Sequence, residues 1–339
     1  MKVVITGGGG FLGSQLARAL LAKGELSGID GALRPIKELV LFDQHFPEPV
    51  QALASKEGLV PDLTLLTGDL SNLESVASAL VGDSLSVFHL GAMVSGECEI
   101  DFDAAISVNL DGTVHLLEAL RKKSGLPRIV FASSVAAFGG AAMSDPVGDR
   151  MKQTPQTTYG MSKAIGEMMI NDYSRKGFLD GRSVRLPTVI IRPGKPNAAA
   201  SSWASGMFRE PLAGETCYLP VHRDQLHPLI GYRDVIESFI AIHEAAPENL
   251  EEDRAFGLPS HRVTVSEALT VLHQVAETEG ITLGMVLDDP NPTIQAIVDT
   301  WPTETDGSRA IALGAPTPRP LDRVIRDYLE DFHPSGSAT

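Results

Sequence analysis

Residues 1–24 constrain this chain more than any other stretch. Residues 3–6 (VVIT) are a short apolar, β-branched run that ends in four glycines. Phe11, Leu12, Leu16, Ala17, Leu20 and Leu21 follow at helical spacing, with Gly24 as the stop. A buried strand that passes through a glycine turn straight into an amphipathic helix opens a strand–helix–strand unit, and the following residues repeat the pattern. Residues 38–42, 63–66, 86–90, 128–132 and 184–186 read as strands. Helices are expected through Val76, Leu80 and Val81, over 106–120 and over 158–173. Such alternation predicts an α/β fold with a mostly parallel sheet covered on both faces, and right-handed crossovers make that sheet doubly wound.

The texture changes after Arg192. Residues 192–231 are rich in Pro, Gly and Ser, 234–243 and 264–279 read as helices, and 288–292 as a turn-rich link to 293–300. Residues 1–190 are therefore expected to form the main unit. Residues 191–332 form mainly a smaller substrate-side region, with 230–245 returning to the first unit. The small, polar stretch 333–339 is expected to be a disordered tail.

Charge narrows the partners. The 339 residues carry a formal charge of −15, from 43 acidic and 28 basic side chains. That balance argues against nucleic acid or an anionic membrane surface, but a small anionic substrate needs only a local positive pocket. Cys98 and Cys217 form no C-x-x-C pair and read as buried apolar residues, so neither a disulfide framework nor a metal site is expected. No stretch approaches the roughly 20 apolar residues of a membrane span. Met1 leads directly into a strand that the fold needs, so no signal peptide is expected and the chain reads as cytoplasmic.

Gly7, Gly10 and Gly13 form G-x-x-G-x-x-G between a strand and a helix. Gly7 permits the tight turn, Gly10 lets a pyrophosphate approach the backbone, and Gly13 allows close helix–strand packing. The N–H groups of the opening turn, at Phe11 and Leu12, then hold phosphates. Four glycines alone would be a flexible loop; the strand before them and the helix after them make a dinucleotide site. Asp43 ends the second strand, where a carboxylate accepts ribose hydroxyls and repels a 2′-phosphate, which favours NAD over NADP. It lies 30 positions after Gly13, against a usual gap of about 20, and residues 24–37 read as a surface insertion that accounts for the difference. Asp69 follows the third strand at the same edge and could equally cap the next helix.

Tyr159 and Lys163 stand one turn apart on one helix face. The spacing is ordinary by itself, but beside a dinucleotide site it suggests hydride chemistry in which the tyrosine takes the alcohol proton. A tyrosine base working near neutrality needs its pKa lowered by about 2 to 3 units, about 3 to 4 kcal/mol. Lys163 and the positive nicotinamide ring could supply that, and Lys163 could also reach the nicotinamide ribose. A serine pair, Ser133 and Ser134, lies at the carboxyl end of the fifth strand.

With TGGGGFLG at 6–13, SSVAAFG at 133–139 and YGMSK at 159–163, the chain resembles the extended short-chain dehydrogenase/reductases over roughly its first 245 residues. That resemblance implies a Rossmann-type fold and the catalytic set Ser134, Tyr159 and Lys163. It implies Gly91, Ala92 and Met93 as the cofactor-lining turn and Asn109 as the family's helix asparagine. Asp69 and Leu70 would flank adenine, and Pro187, Thr188 and Val189 would contact nicotinamide. The helices over 106–120 and 159–173 resemble those that pair two subunits, which implies a homodimer.

Residues 24–37 and 186–214 resemble the branch that oxidises the four-carbon sugar acid D-erythronate at C2 with NAD. Where nucleotide-sugar members often carry a diphosphate-binding arginine, alignment on Asp234 puts His227, with Arg223 or Arg233 able to compensate. For the substrate carboxylate the charged candidates are Lys195, Arg209 and Arg233, and the polar ones Asn197, Ser201 and Ser202. Each could equally be a surface or turn residue. Trp203 and Met207 suit an apolar lid or the core. Two other readings stay open: a nucleotide-sugar 4-epimerase or dehydratase with tightly bound NAD, and a non-catalytic cofactor sensor, a class that typically loses the Tyr or Lys kept here.

Overall fold

The computed structural model describes residues 1–56, 58, 61–196 and 199–332; Asn197 and the 333–339 stretch lie outside them. Seven strands make the main sheet: β1 (Lys2–Thr6), β2 (Glu38–Asp43), β3 (Asp62–Thr67), β4 (Leu85–His89), β5 (Arg128–Ser134), β6 (Asp180–Leu186) and β7 (Ala255–Gly257). Their order is β3-β2-β1-β4-β5-β6-β7, and every neighbouring pair is parallel. The order reverses between β1 and β4, so the crevice for a ligand opens above the carboxyl ends of these two strands.

Seven helices matter to the site: α1 (Phe11–Lys23), α2 (Gly112–Arg121), α3 (Thr158–Arg175), α4 (Ser202–Leu212), α5 (Tyr232–Glu244), α6 (Val265–Glu279) and α7 (Leu321–Phe332). Alternate residues of β1 feed opposite faces of the sheet. Val3 and Ile5 pack with Leu16 and Leu20 of α1 and Phe239 and Ile242 of α5. Val4 packs with Leu116 and Leu120 of α2 and Ile170 of α3. The sheet is thus buried on both faces, which is why its strands read as continuous apolar runs.

A smaller region sits beside it. Thr188–Ile190, Leu226–Gly231 and His261–Thr264 form a three-stranded sheet. Trp203, Met207 and Phe208 of α4 share a second core with Leu269 and Leu272 of α6 and Tyr328 of α7. Trp203 and Met207 are therefore core residues rather than a lid.

Local structure departs from the sequence reading in four places. Residues 24–37 are not a bare surface insertion: Glu25–Ser27 and Leu33–Pro35 pair as a hairpin. Leu26 and Ile36 are buried, and Arg128 donates to the Ser27 carbonyl at 3.2 Å. The helix expected over 106–120 is present but not uniform, because its first part, Ile106–Asp111, is a π-helical turn that runs on from Phe102–Ala105 and leads into α2, with a further short helix at Ser95–Ile100. The turn-rich link at 288 begins with the end of a strand, Val286–Asp288, paired with Cys217–Leu219. The C-terminal helix α7 was not anticipated, although Leu321, Val324, Ile325 and Tyr328 are buried at helical spacing.

Helix α3, which carries Tyr159 and Lys163, is fastened to the sheet by a buried charge cluster. Glu167 accepts from Arg185 of β6 at 2.7 Å and 3.0 Å, from Gln153 at 2.5 Å and from the Ser133 hydroxyl. Both cysteines are buried. Among the described residues no helix is long and apolar enough to cross a membrane.

Candidate active site

Two adjoining cavities open at the carboxyl edge of the sheet. The larger, about 640 Å³, is within the size range of cofactor sites. Gly7, Gly10 and Gly13 have different surroundings there. Gly7 has φ +72°, and a Cβ on it would lie 2.7 Å from the Gly91 nitrogen; one on Gly13 would lie 2.1 Å from the Gly7 carbonyl oxygen. These two glycines let turn, helix and neighbouring strand close on each other. A Cβ on Gly10 would meet only the Gly7 oxygen, at 3.2 Å, so the backbone there faces open cleft. The first turn of α1, at Phe11, Leu12 and Gly13, lines the same space, with unpaired N–H groups of the kind that bind phosphate. This cradle fits a dinucleotide.

Asp43 lines the cavity from the end of β2. Its carboxylate accepts from Gly9 N at 2.9 Å and Gln44 N at 2.7 Å, which ties the turn to the strand and leaves lone pairs for a ribose. Leu70, Gly91, Ala92, Met93 and Val189 also line it. Asp69 does not: it accepts from the Ser71 nitrogen and hydroxyl, both at 2.8 Å, and shapes the turn after β3. Asn109 stands behind the wall. The π turn aims its amide at Met93, with Oδ1 accepting from Met93 N at 2.7 Å and Nδ2 donating to Met93 O at 3.1 Å, so it braces the turn 91–93. Arg192, which the sequence reading did not single out, brings a guanidinium to the cleft; burial and the neighbouring Arg209 hold its pKa below the usual value.

Tyr159 is half-buried where the two cavities meet. Thr157 caps α3 by accepting from Gly160 N at 3.0 Å, which sets Tyr159 in the first turn. Burial, then Cys98, pushes its phenol up to about 12, with a hydrogen bond to Ser134 acting in the opposite sense. Lys163, expected to lower it, is engaged elsewhere. Lys163 donates to the Ala132 carbonyl at 2.8 Å, and its ammonium is 5.4 Å from the Tyr159 ring centroid. Burial holds its own pKa at about 8. Ser133 and Ser134 are distinguishable: Ser133 donates to Glu167, whereas Ser134 accepts from Ala136 N at 3.1 Å and bonds Tyr159.

The smaller cavity, about 190 Å³, is lined by Ser134 and Tyr159 with Ser95, Pro187, Thr188, Val189, Ser201 and Trp301 among others, and no charged side chain lines it among the described residues. The cationic candidates lie elsewhere. Lys195 is exposed. Arg209 is buried against Glu210 at 2.5 Å and the Arg192 carbonyl at 2.8 Å. Arg233 binds Asp327 at 2.7 Å and Asp331 at 2.8 Å. Arg223 pairs with Asp288 at 2.7 Å. Of the polar candidates within the described residues, Ser201 lines the chamber and Ser202 does not. Thr188, expected at the nicotinamide, lines this chamber; Ser95 and Trp301 come from distant segments that no local motif marks.

A parallel sheet of this order, a glycine cradle at its switch point and a Ser–Tyr–Lys cluster beside it define an α/β enzyme that works with a nicotinamide dinucleotide. The chain belongs to the NAD dependent epimerase/dehydratase family, whose model matches residues 3–255. It is 42% identical to a D-erythronate dehydrogenase of Cupriavidus necator over 98% of each chain. A D-erythronate dehydrogenase of Haemophilus influenzae is 38% identical over 97% of this chain and 99% of that protein. A crystal structure described as the nucleoside-diphosphate-sugar epimerase from Agrobacterium tumefaciens superposes with a TM-score of 0.87 at 34% identity, over 99% of this chain and 95% of that one.

Proposed function

We propose that this chain is an NAD-dependent dehydrogenase of a small sugar acid, D-erythronate, which it oxidises at C2 to 2-oxo-tetronate. The observation that carries this reading is the chamber of about 190 Å³ beside Ser134 and Tyr159. It suits a four-carbon acid, and among the described residues no arginine lines it to clamp a diphosphate. His227, at the position where an arginine would bind that group, is buried against Thr188. The two relatives named as D-erythronate dehydrogenases support the same substrate.

In this reading the first turn of α1 holds the pyrophosphate, Asp43 the adenosine ribose and Lys163 the nicotinamide ribose. NAD supplies the hydride acceptor. Ser134 holds the substrate hydroxyl against Tyr159, whose phenolate takes the O–H proton as the C2–H bond breaks. D-Erythronate deuterated at C2 is expected to pass its label to NADH, with a 2-oxo acid as product, both read by mass spectrometry. Label retained on the carbon skeleton without NADH release would contradict the dehydrogenase. The epimerase named among the structural relatives motivates the alternative, a nucleotide-sugar 4-epimerase in which NAD stays bound.

Asp43→Ala is expected to narrow the preference for NAD over NADP by about tenfold or more, since it removes the carboxylate that would repel a 2′-phosphate. Cofactor KM values compared between variant and parent check this; an unchanged preference would place that role on another group. We also infer a homodimer through α2 and α3, a face near which Ile100, Phe102 and Met168 are exposed apolar residues. Light scattering is expected to give twice the chain mass, and a one-chain mass would remove this part of the reading.

A further inference from the structure

A neutral chamber that receives a sugar acid must hold a carboxylate with uncharged donors. Resting on the sugar-acid reading above, we propose that Thr188 donates its hydroxyl to the substrate carboxylate and that His227 is the residue that positions it. Thr188 lines the chamber, is 8% exposed, and places Oγ1 2.7 Å from Nε2 of His227. His227 is 2% exposed. Its ring centroid lies 5.0 Å from that of Trp203 and 5.8 Å from that of Trp301, so it is wedged between two indoles. Burial pushes its pKa down to about 3, and the imidazole is neutral at working pH.

A neutral imidazole carries one N–H, and this decides what Thr188 can do. With Nε2 bare, Thr188 must donate to it and offers the chamber only lone pairs, which an ionised carboxylate cannot use. With Nε2 protonated, Thr188 accepts from His227 and its own O–H is free to donate. A carboxylate in the chamber therefore selects the Nε2–H form. Ser95 repeats the arrangement: its hydroxyl accepts from Ala200 N at 3.1 Å, which leaves its O–H to donate. The wall thus carries two hydroxyls whose acceptor side is occupied and whose donor side is available to an anion. The hydride and proton steps assign no part to His227.

The test is steady-state oxidation of D-erythronate, with NAD affinity measured separately. Thr188→Val is expected to raise the KM for the acid about 10- to 100-fold, the range a hydrogen bond to a charged group supports. Its kcat and NAD affinity should stay within about threefold, and Thr188→Ser should restore most of the loss. His227→Phe keeps a ring between the tryptophans and should raise KM in the same way, but add nothing in the Thr188→Val background. An unchanged KM in Thr188→Val overturns the assignment of Thr188. Additive effects in the double variant overturn the positioning role and leave His227 a packing residue. A parent protein that forms no NADH from any four-carbon acid overturns the sugar-acid reading itself, a result separable from the other two.

Discussion

Tyr159→Phe is expected to keep NAD binding and to lower turnover by at least about 100-fold, the lower end of what general acid–base catalysis contributes. The ring stays, so the packing of α3 is unchanged; only the hydroxyl that takes the proton is lost. Because the phenolate is the working form, oxidation should accelerate as pH rises toward the phenol's pKa. Burial pushes that pKa up to about 12, so the lowering needed for work near neutrality is larger than a solvated tyrosine would require. The charge available for it is Lys163, whose ammonium lies 5.4 Å from the Tyr159 ring centroid, together with the positive nicotinamide. Kinetics of the variant beside NAD titration check this. Full activity in Tyr159→Phe would end the proposed mechanism.

Glu167→Ala is expected to destabilise the fold by about 3 to 5 kcal/mol, the scale of removing one partner from a buried ion pair. The Glu167 side chain is 2% exposed and that of Arg185 4%. Loss of the carboxylate leaves the guanidinium with Asp149, at 3.3 Å, as its remaining buried anion. Ser133 and Gln153 lose their acceptor as well. Glu167→Gln keeps an acceptor for those two and should cost less. The thermal unfolding midpoint checks the order, and a Glu167→Ala midpoint equal to the parent's would show that the cluster contributes nothing net. Because α3 carries Tyr159 and Lys163, the alanine variant should also lose activity.

The parts of the site that were legible in the sequence are those built by one local segment. Strand, glycine turn and helix lie within residues 2–23, and the close packing at Gly13 is against Gly7 of the same segment, although Gly7 also makes room for Gly91 far along the chain. Tyr159 and Lys163 share one helix face. The rest is assembled from afar. Ser95, Thr188 and Trp301 meet only because the three-stranded sheet and the second core fold beside the main sheet. The π turn that aims Asn109 at Met93 leaves no mark on an apolar periodicity that an unbroken helix would share. Charge alone was a poor guide to the carboxylate site. Arg209 has Glu210 next to it in the chain, and Arg233 finds its acidic partners on α7, an element the sequence reading had not assigned. His227 is marked in the sequence only as the place of a missing arginine; that it stands buried behind Thr188 shows in the fold alone.

The central claim is tested most directly by NADH formation, followed by its near-ultraviolet absorbance, with purified protein, NAD and D-erythronate, L-erythronate, D-threonate and L-threonate in turn. UDP-glucose serves as the contrast. Robust NADH formation from D-erythronate, with little from its stereoisomers and none from UDP-glucose, is the predicted result. Silence with every acid, from a protein that carries tightly held NAD and converts UDP-glucose without net NADH, would contradict the account and make the chain an epimerase.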